Sequence, residues 1–367
     1  MKHEARTLFN TTQALFTTHY QRRSYQTLIA GFLSATGNPR PATATDKSAA
    51  ALSRFLNQYA WNARNLIRIV RTAIHERVWD TYAARRGRKP TLEIMLDLTT
   101  LEKTGAFPNL EIHALKDKIG LHLVVLYIVI GVQRFPWSFL VWRGKGSDSP
   151  TRLGLKLLER IPVSWSQSFN VRVLADSGFD SSEFIDGVNQ LGIHGVIGVR
   201  GNRDIGEGHH LYDLRYQGTQ VQFKSCVTRV FAAWFQLRQA RGGMVWRYVI
   251  STRAAEGKTI TRWGKRRWRI EAFFKTMKSR FGLDQFGQRT ALGAMRFLIL
   301  ALLAFVLAYW MALESAVDLT ELDWGRAARL ARDDLVPEVL ARGALRELQR
   351  LKQILEGRGV TCYTQFV

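Results

Sequence analysis

The sequence predicts an α/β protein built on a mixed β-sheet flanked by helices, with a helical N-terminal part and a β-rich insertion. Three observations lead to this prediction. The first 90 residues have apolar side chains at helical spacing, residues 92–199 alternate between strand-like and helical patterns, and residues 201–260 contain strand-like runs separated by glycines.

The N-terminal part has a helical period between about residues 24 and 83. Apolar positions such as Leu52 and Leu56 recur at three- and four-residue spacing, and basic side chains lie between them. A proline-containing loop at residues 39–41 interrupts the pattern, and a basic linker at residues 85–90 ends it. Two interpretations stay open: a small helical domain that faces a polyanionic partner, or a helical cap with a solvated basic face.

Apolar runs rich in β-branched or aromatic residues predict the strands of the sheet. In chain order, the patterns predict strand, strand, strand, helix, strand, helix and strand at residues 92–98, 121–130, 137–142, 153–160, 171–175, 183–191 and 195–199. This order implies a mixed sheet covered by helices. Ligands bind such sheets beyond strand ends where the topology switches, and two of the predicted strands end next to an aspartate.

The insertion contains strand-like runs at residues 220–230, 231–239 and 245–252, and a helical period returns at residues 263–281. The uncharged, apolar run at residues 297–313 is borderline in length for a membrane span. We interpret this run as a core helix packed on a sheet, because it is alone in an otherwise polar and basic chain.

The charge of the chain predicts a polyanionic partner. Lys and Arg number 53 against 30 Asp and Glu, a formal net charge of +23, which attracts nucleic acid in a salt-dependent way. Residues 1–90 carry 15 basic against 4 acidic side chains, and residues 253–289 carry 11 against 3. Basic charge alone would equally suit a ribosomal or a membrane-surface protein.

The remaining composition limits the compartment and the cofactors. Cys226 and Cys362 are too few and too far apart for a zinc site or a disulfide framework, and the N-terminus has no apolar signal stretch. The glycine-rich stretch at residues 201–208 lacks the Lys-Ser/Thr pair of a nucleotide-binding loop. We therefore expect a cytoplasmic, nucleoid-associated protein with no membrane segment and no nucleotide cofactor.

Three acidic residues carry the predicted chemistry. Asp97 and Asp176 close strand-like runs, and Glu271 lies on an amphipathic, very basic helix. Two divalent ions can activate an attacking oxygen and stabilise a leaving oxygen at phosphorus, and Mg²⁺ prefers carboxylate ligands. We predict two Mg²⁺ or Mn²⁺ ions per site, with Asp97 bridging both, Asp176 binding one and Glu271 the other. Singly, each acid also fits a structural role, as a turn or cap residue for the aspartates and as an ion-pair partner for the glutamate.

The segments around these acids are LDLTTLEKTG at residues 96–105, LADSGF at residues 174–179, and RWRIEAFFK at residues 267–275 followed by Lys278. They resemble the bacterial insertion-sequence transposases with an Asp-Asp-Glu (DDE) site. Within that family they resemble the group similar to insertion-sequence family four. The third acid of that group lies in a tyrosine-arginine-glutamate-lysine (YREK) signature. The resemblance covers about residues 91–309, and it departs from the signature at Gly264, where the tyrosine would fall.

The resemblance implies a ribonuclease-H-like catalytic domain that acts on double-stranded DNA. The expected protein is a transposase that binds the terminal inverted repeats of its own element, cleaves there, and joins the 3′-hydroxyl ends to target DNA by a cut-and-paste route. A homodimer would pair the two DNA ends. The expected organisation is a helical DNA-binding domain at residues 1–88, the first part of the catalytic domain at 89–200, the β-rich insertion at 201–260, the remainder of the catalytic domain with the third acid at 261–312, and a C-terminal helical tail at 313–367.

Basic side chains are predicted to neutralise DNA phosphates near the acids and on the N-terminal helices. The arginine and lysine of the signature correspond to Arg267 and Lys278. The predicted phosphate-binding residues are these two together with Lys275, Arg200, Arg203, Arg64 and Arg68.

Two rival interpretations stay open. The first is a metal-dependent nuclease of the same fold that cleaves DNA without joining it, and a strand-joining assay distinguishes it from a transposase. The second is a non-catalytic or inactive DNA-binding descendant of a transposase. Loss of an acid would mark this second class, and all three acids are present.

Overall fold

The computed structural model describes residues 3–34, 46–83, 87–105, 107–238, 242–315 and 322–361. The predicted loop at residues 39–41, the linker residues Arg85 and Arg86, and Cys362 lie outside these ranges.

The strands and helices follow the predicted alternation, although several strands are longer than their apolar runs. The strands are β1 (Thr91–Glu102), β2 (His113–Leu115), β3 (Lys118–Ile130), β4 (Gln133–Trp142), β5 (Asn170–Ala175), β6 (His194–Val199), β7 (Asp204–Gly206), β8 (His209–His210), β9 (Thr219–Gln222), β10 (Arg229–Arg238) and β11 (Met244–Ser251). The helices are α1 (Glu4–Gln13), α2 (His19–Phe32), α3 (Ala49–Asn57), α4 (Ala63–Val78), α5 (Pro150–Leu158), α6 (Val163–Ser168), α7 (Ser182–Gln190), α8 (Gly257–Arg266), α9 (Arg269–Ser279), α10 (Ala291–Glu314), α11 (Trp324–Leu335) and α12 (Pro337–Glu356).

Nine strands within the described ranges form one sheet. Its centre has the order β4-β3-β1-β5-β6, in which β3 is antiparallel to β1 and β4, while β5 and β6 run parallel to β1. This is the strand order of the ribonuclease-H-like fold, so the predicted fold class is confirmed. Beyond β6, strands β11, β10 and β9 continue the sheet by antiparallel pairing. The strand-rich segment after residue 201 therefore enlarges the central sheet.

Helices cover both faces of this sheet. Gly195 of β6 faces Val188 of α7, and its neighbour His194 points to the opposite face, where its ring meets Trp263 of α8. Burial on both faces explains why β3 is a nearly continuous apolar run rather than an alternating one.

The chain divides into two compact units, Met1–Ala73 with Lys275–Val367 and Ile74–Phe274. The second unit contains the whole sheet. The first unit is helical, and α10 is its core: it packs against α1, α2, α3 and α11, with the Phe32 and Phe297 rings 4.9 Å apart and the Phe305 and Trp324 rings 4.5 Å apart. The five-part domain division stays a prediction.

Helix α10 is long and apolar enough to cross a membrane by length and composition alone, but most of it is buried within the protein. The interpretation of residues 297–313 as a core helix is therefore confirmed. Its packing partners include the helices α1, α2, α3 and α11, and the packing of this helix on a sheet stays a prediction.

Candidate active site

One face of the central sheet carries three rows of side chains across β1, β5 and β6. In the first two rows the residues are paired side by side on neighbouring strands. The third row lies two residues further along each chain, one residue beyond the last pairs of β1 with β5 and of β5 with β6, so we assign all three rows to the same face. We call them the polar row, the apolar row and the acidic row. In strand order they are Glu93, Arg172 and His194; Met95, Leu174 and Val196; and Asp97, Asp176 and Gly198.

Asp97 lies inside β1, which corrects the prediction that it closes the strand. Strand β1 continues to Glu102 because β3 pairs with it along its whole length. The parallel pairing with β5 ends one residue earlier, at Leu96 and Ala175. Asp97 therefore lies where β5 leaves the sheet, next to an edge that is open to solvent or ligand.

Asp176 follows the last residue of β5 and caps a short 3₁₀ turn. Its carboxylate accepts a hydrogen bond of 2.9 Å from the backbone N–H of Gly178, which fixes the direction in which the chain leaves the strand. Gly198 makes this position possible, because a Cβ atom there would lie 3.1 Å from the backbone nitrogen of Ser177.

Glu271 reaches the acidic row from a helix break. The helical period predicted at residues 263–281 is divided between two helices, because α8 ends at Arg266 and α9 begins at Arg269, with a turn between them. Arg267 in this turn donates to two of the acids: its Nη1 lies 3.4 Å from Asp97 Oδ2, and its Nη2 lies 2.6 Å from Glu271 Oε1. The guanidinium thus joins the first acid to the third.

The other two acids act electrostatically on Asp97. The pKa of Asp97 is raised to about 7, mainly by burial and then by the charges of Asp176 and Glu271, against the lowering effects of Arg267 and the N–H of Leu98. The three acids at this edge of the sheet therefore outnumber the one arginine, Arg267, that pairs with two of them among the described residues.

The carboxylates of Asp97, Asp176 and Glu271 fit a divalent cation, since carboxylate oxygens are the hard ligands that Mg²⁺ and Mn²⁺ take. No group of three His, Cys, Asp or Glu side chains within the described ranges is already arranged to hold an ion. Arg267 supplies the positive charge between Asp97 and Glu271 instead.

A cleft of about 550 Å³ opens beside Asp176 and Glu271. Its walls come from the ends of β6, β10 and β11 and from the turn between α8 and α9, and they include Arg200, Trp246 and Arg267. Trp246 is 52% exposed, so its ring is accessible from the cleft. Acidic, basic and aromatic groups on one wall suit a ligand that has both phosphates and bases.

The other predicted phosphate-binding residues lie in different settings. Arg203 turns inward, where it contacts Asp180 and Ser182 and lies 4.5 Å over the Phe223 ring, so its guanidinium anchors a loop. Its role in phosphate binding stays a prediction. Four further residues belong to the helical unit rather than to the sheet unit that holds the acids: Lys275, Lys278, Arg64 and Arg68.

No role for the polar row was predicted from the sequence. Glu93 lies four residues before Asp97 on the same strand, a spacing that places both carboxylates on one face. That spacing could have shown that Glu93 shares a face with Asp97. It could not have shown which basic residues contact Glu93, because those contacts depend on how the helices pack.

This ribonuclease-H-like sheet has carboxylates where two adjacent strands stop pairing, and a basic cleft lies beside them. Such an arrangement defines the class of enzymes that transfer phosphoryl groups in nucleic acid. Within this class, the chain belongs to the transposase DDE domain family, because the model of that family matches residues 94–307, more than half of the chain. All three acids lie within the matched range. The predicted resemblance is confirmed at the level of DDE transposases, and the grouping by the YREK signature stays a prediction.

One structure similar to this chain is a piggyBac transposase synaptic complex with hairpin DNA, determined by cryo-electron microscopy. The two share 11% sequence identity with a TM-score of 0.48, over 92% of this chain and 78% of that one. No curated protein matches the sequence.

Proposed function

We propose that the chain binds the terminal inverted repeats of its own mobile element, cleaves the DNA there with divalent metal ions, and joins the 3′-hydroxyl ends to target DNA. One observation supports this most directly: Asp97 and Asp176 each come one residue after the last paired residues of β1 and β5, and Arg267 links Asp97 to Glu271. Family membership supplies the general reaction, polynucleotidyl transfer.

The proposed roles of the acids follow from their positions. Asp97, which the charges of both other acids affect, would contribute to holding two Mg²⁺ or Mn²⁺ ions, with Asp176 and Glu271 each holding one. Ions bound there would activate the attacking oxygen and stabilise the leaving oxygen. Arg267 already lines the cleft, and we infer that its guanidinium exchanges its carboxylate partners for a DNA phosphate when the acids are neutralised.

The DNA-binding roles are also part of the proposal. Arg200 is exposed and lines the cleft beside Asp176, which supports a contact with the phosphate nearest the cleavage position. Arg64 and Arg68 are exposed on α4, and Lys275 is exposed on α9, which supports contacts with the phosphates of the inverted repeat. A homodimer would hold two element ends together.

The test uses a supercoiled plasmid that carries the DNA flanking the gene on both sides. We expect Asp97→Asn, Asp176→Asn and Glu271→Gln each to reduce cleavage in Mg²⁺ by at least about 10³-fold, because each removes a charged ligand, while end binding stays within about twofold. Glu159→Gln, an exposed carboxylate at the end of α5, is the matched control and should cleave normally. Near-normal cleavage by any of the three variants would remove that acid from the proposed site.

Strand joining separates the proposed transposase from the nuclease alternative. A labelled, pre-cleaved element end is incubated with target plasmid, and covalent transfer of the label is measured. Cleavage without any transfer would favour the nuclease. Binding of the ends by the unaltered protein with neither cleavage nor transfer would favour the inactive descendant.

A further inference from the structure

We propose that Glu93 is a positioning residue for the site: it holds the turn between α8 and α9 against the sheet and so places Arg267 and Glu271 over Asp97. This inference rests on the proposed function of the same site, because positioning matters only if the acids act together.

Glu93 is a buried carboxylate that gathers three arginines. Its side chain is 5% exposed, and Arg266 Nη1 and Arg172 Nη1 lie 2.8 Å and 3.4 Å from its Oε1, while Arg269 Nη1 lies 3.2 Å from its Oε2. Arg266 ends α8 and Arg269 begins α9. The two contacts therefore hold the helix break from both sides, with Arg267 between them.

Arg172, the third partner, is itself fixed to the sheet and to α8. Its guanidinium carbon lies 4.0 Å over the Trp263 ring of α8, and its Nε donates to His194 Nδ1 at 3.3 Å. Because arginine only donates, Nδ1 of His194 must accept, so the ring proton is on Nε2 and donates to Ser251 Oγ at 2.8 Å. Ser251 Oγ in turn donates to the carbonyl of Arg253 at 2.6 Å.

The polar row is thus a continuous network across β1, β5, β6 and β11, and Arg266 and Arg269 join it by ion pairs to the two sides of the turn between α8 and α9. His194 is neutral in this network, since burial, with the charges of Arg172 and Arg253, lowers its pKa to about 3. A neutral imidazole keeps the acceptor that Arg172 requires.

Glu93 is too far from the acids to take part in the chemistry directly. Asp97 lies four residue steps along the strand from Glu93, roughly 13 Å at strand rise. The apolar row of Met95, Leu174 and Val196 lies between them and is buried. We therefore infer that Glu93 acts on the reaction by positioning residues 266–271.

The helix pair also needs this contact. Phe273 of α9 stacks on Tyr127 of β3 at 4.5 Å, which fixes α9 after Glu271, and the Trp268 ring in the turn meets the Phe235 ring of β10 at 6.2 Å. The contacts of Arg266 and Arg269 with Glu93 add ion pairs on either side of that turn. Misplacing a catalytic group by about 1 Å costs on the order of 10²-fold in rate. Loss of the Glu93 contacts should therefore be visible as a kinetic effect.

The experiment uses the full chain and begins with variants that should fold. Replacing Glu93 leaves Arg172 buried without its counter-charge, so Arg266→Gln and Arg269→Gln are the primary variants; their side chains are 40% and 51% exposed. Arg262→Gln is the matched control, because Arg262 is an exposed arginine one turn earlier on α8 and does not contact Glu93 in the described structure. Glu93→Gln and Glu93→Asp complete the set.

Two readouts are measured. The first is the cleavage rate at saturating DNA, compared with the Kd for the element end. The second is backbone hydrogen exchange of residues 257–279 in protein free of DNA and metal, which does not depend on activity. We expect each arginine variant to lower the cleavage rate roughly 10-fold and the double variant roughly 10²-fold, with Kd within about twofold, and to speed exchange in the turn and the first turn of α9.

A double-mutant cycle assigns the effect to Glu93. If the arginines act through Glu93, then Arg266→Gln should have little further effect on exchange or rate in the Glu93→Gln background. Glu93→Asp, which keeps the charge but shortens the reach, should fall between Glu93→Gln and the unaltered chain. Arg262→Gln should match the unaltered chain in both readouts.

The outcomes separate this inference from the proposed function. Unchanged exchange and rate in both arginine variants would overturn the positioning role, and so would weaker DNA binding with unchanged exchange, because the arginines would then be DNA contacts. If the unaltered chain cleaves and Asp97→Asn does not, these results reject the positioning role alone. The chain could also fail to cleave DNA while the arginine variants exchange faster and the Glu93 and Arg266 substitutions have non-additive effects on exchange. That result would support the positioning role and reject the proposed function.

Discussion

Asp97 is the residue whose ionisation most affects the proposed site. Its pKa of about 7 in the folded protein exceeds the value of about 3.9 expected in the unfolded chain. Between these values the folded protein holds a proton that the unfolded chain releases. The contribution of Asp97 to stability is therefore fully present below about pH 4 and is lost as pH rises through 7, at up to about 1.4 kcal/mol per pH unit.

We expect Asp97→Asn to remove this dependence. At pH 8, without metal, the asparagine variant should unfold at a higher urea concentration than the unaltered chain, and at pH 4.5 the difference should nearly vanish. Adding Mg²⁺ at pH 8 should stabilise the unaltered chain and not the variant, since binding to the folded state requires the ionised carboxylate. Parallel stability profiles for the two proteins across this range would contradict the assignment.

His194 is expected to act in the opposite direction. Its pKa of about 3 in the folded protein lies below the value of about 6.5 in the unfolded chain, mainly because the ring is buried. The unfolded chain therefore gains a proton first as pH falls, and stability is lost from about pH 6.5 downwards, at up to about 1.4 kcal/mol per pH unit.

His194→Gln tests this expectation, because the glutamine amide can accept from Arg172 and donate to Ser251 but does not titrate. In the Asp97→Asn background, which removes the opposing effect, urea unfolding between pH 4 and 7 should depend less on pH for the glutamine variant than for the histidine parent. Equal slopes would show that His194 is not buried in its neutral form.

At the scale of single elements, the sequence predicted strands β1, β3 and β5 for a physical reason. β1, β3 and β5 are buried on both faces, so each had to be a continuous apolar run, and an acidic residue in or after such a run stands out. The length of β1 was not predictable, because Leu98 to Glu102 are held by pairing with β3, a contact remote in sequence. The break between α8 and α9 was missed because both helices share one helical period.

Gly264 shows how a departure from the signature is explained by packing. A Cβ atom at this position of α8 would lie 2.9 Å from Cγ2 of Val249 on β11, so the glycine lets the helix approach the sheet closely. A tyrosine side chain has no room at this approach. The sequence alone showed the departure but not the contact that requires it.

We expect Gly264→Ala to destabilise the protein by roughly 1–2 kcal/mol, because the clash with a stiff β-branched side chain outweighs the gain of about 1 kcal/mol in helix propensity. Val249→Ala in the same chain should recover much of this loss, so the two substitutions should be strongly non-additive in urea unfolding. Additive effects would mean that the approach of α8 to β11 is not what selects glycine.

At the scale of the whole molecule, the concentration of basic residues at the N-terminal end was predicted from composition, but the packing of that end was not. Residues of α1, α2 and α3 pack on α10, which lies more than 200 residues later in the chain, and Arg296 of α10 donates to the carbonyls of Leu56 and Trp61. No local pattern contains such a pairing. Removing residues 1–88 would therefore expose the core of the helical unit, so a deletion cannot test DNA binding separately from folding.

Charge reversal is the suitable test of the N-terminal contact. Arg64 and Arg68 lie one turn apart and exposed on α4, and we expect Arg64→Glu with Arg68→Glu to weaken binding of the element end and to lower the slope of log K against log salt by about 2, close to 0.9 per lost phosphate contact. Arg326→Glu with Arg329→Glu, two exposed arginines one turn apart on α11, changes the net charge of +23 by the same amount. Because long-range attraction depends on net charge whereas counterion release depends on local contacts, the α11 pair should leave the slope nearly unchanged. If both double variants lower the slope of log K against log salt equally, the basic residues act only through the net charge of the protein and α4 does not face the DNA.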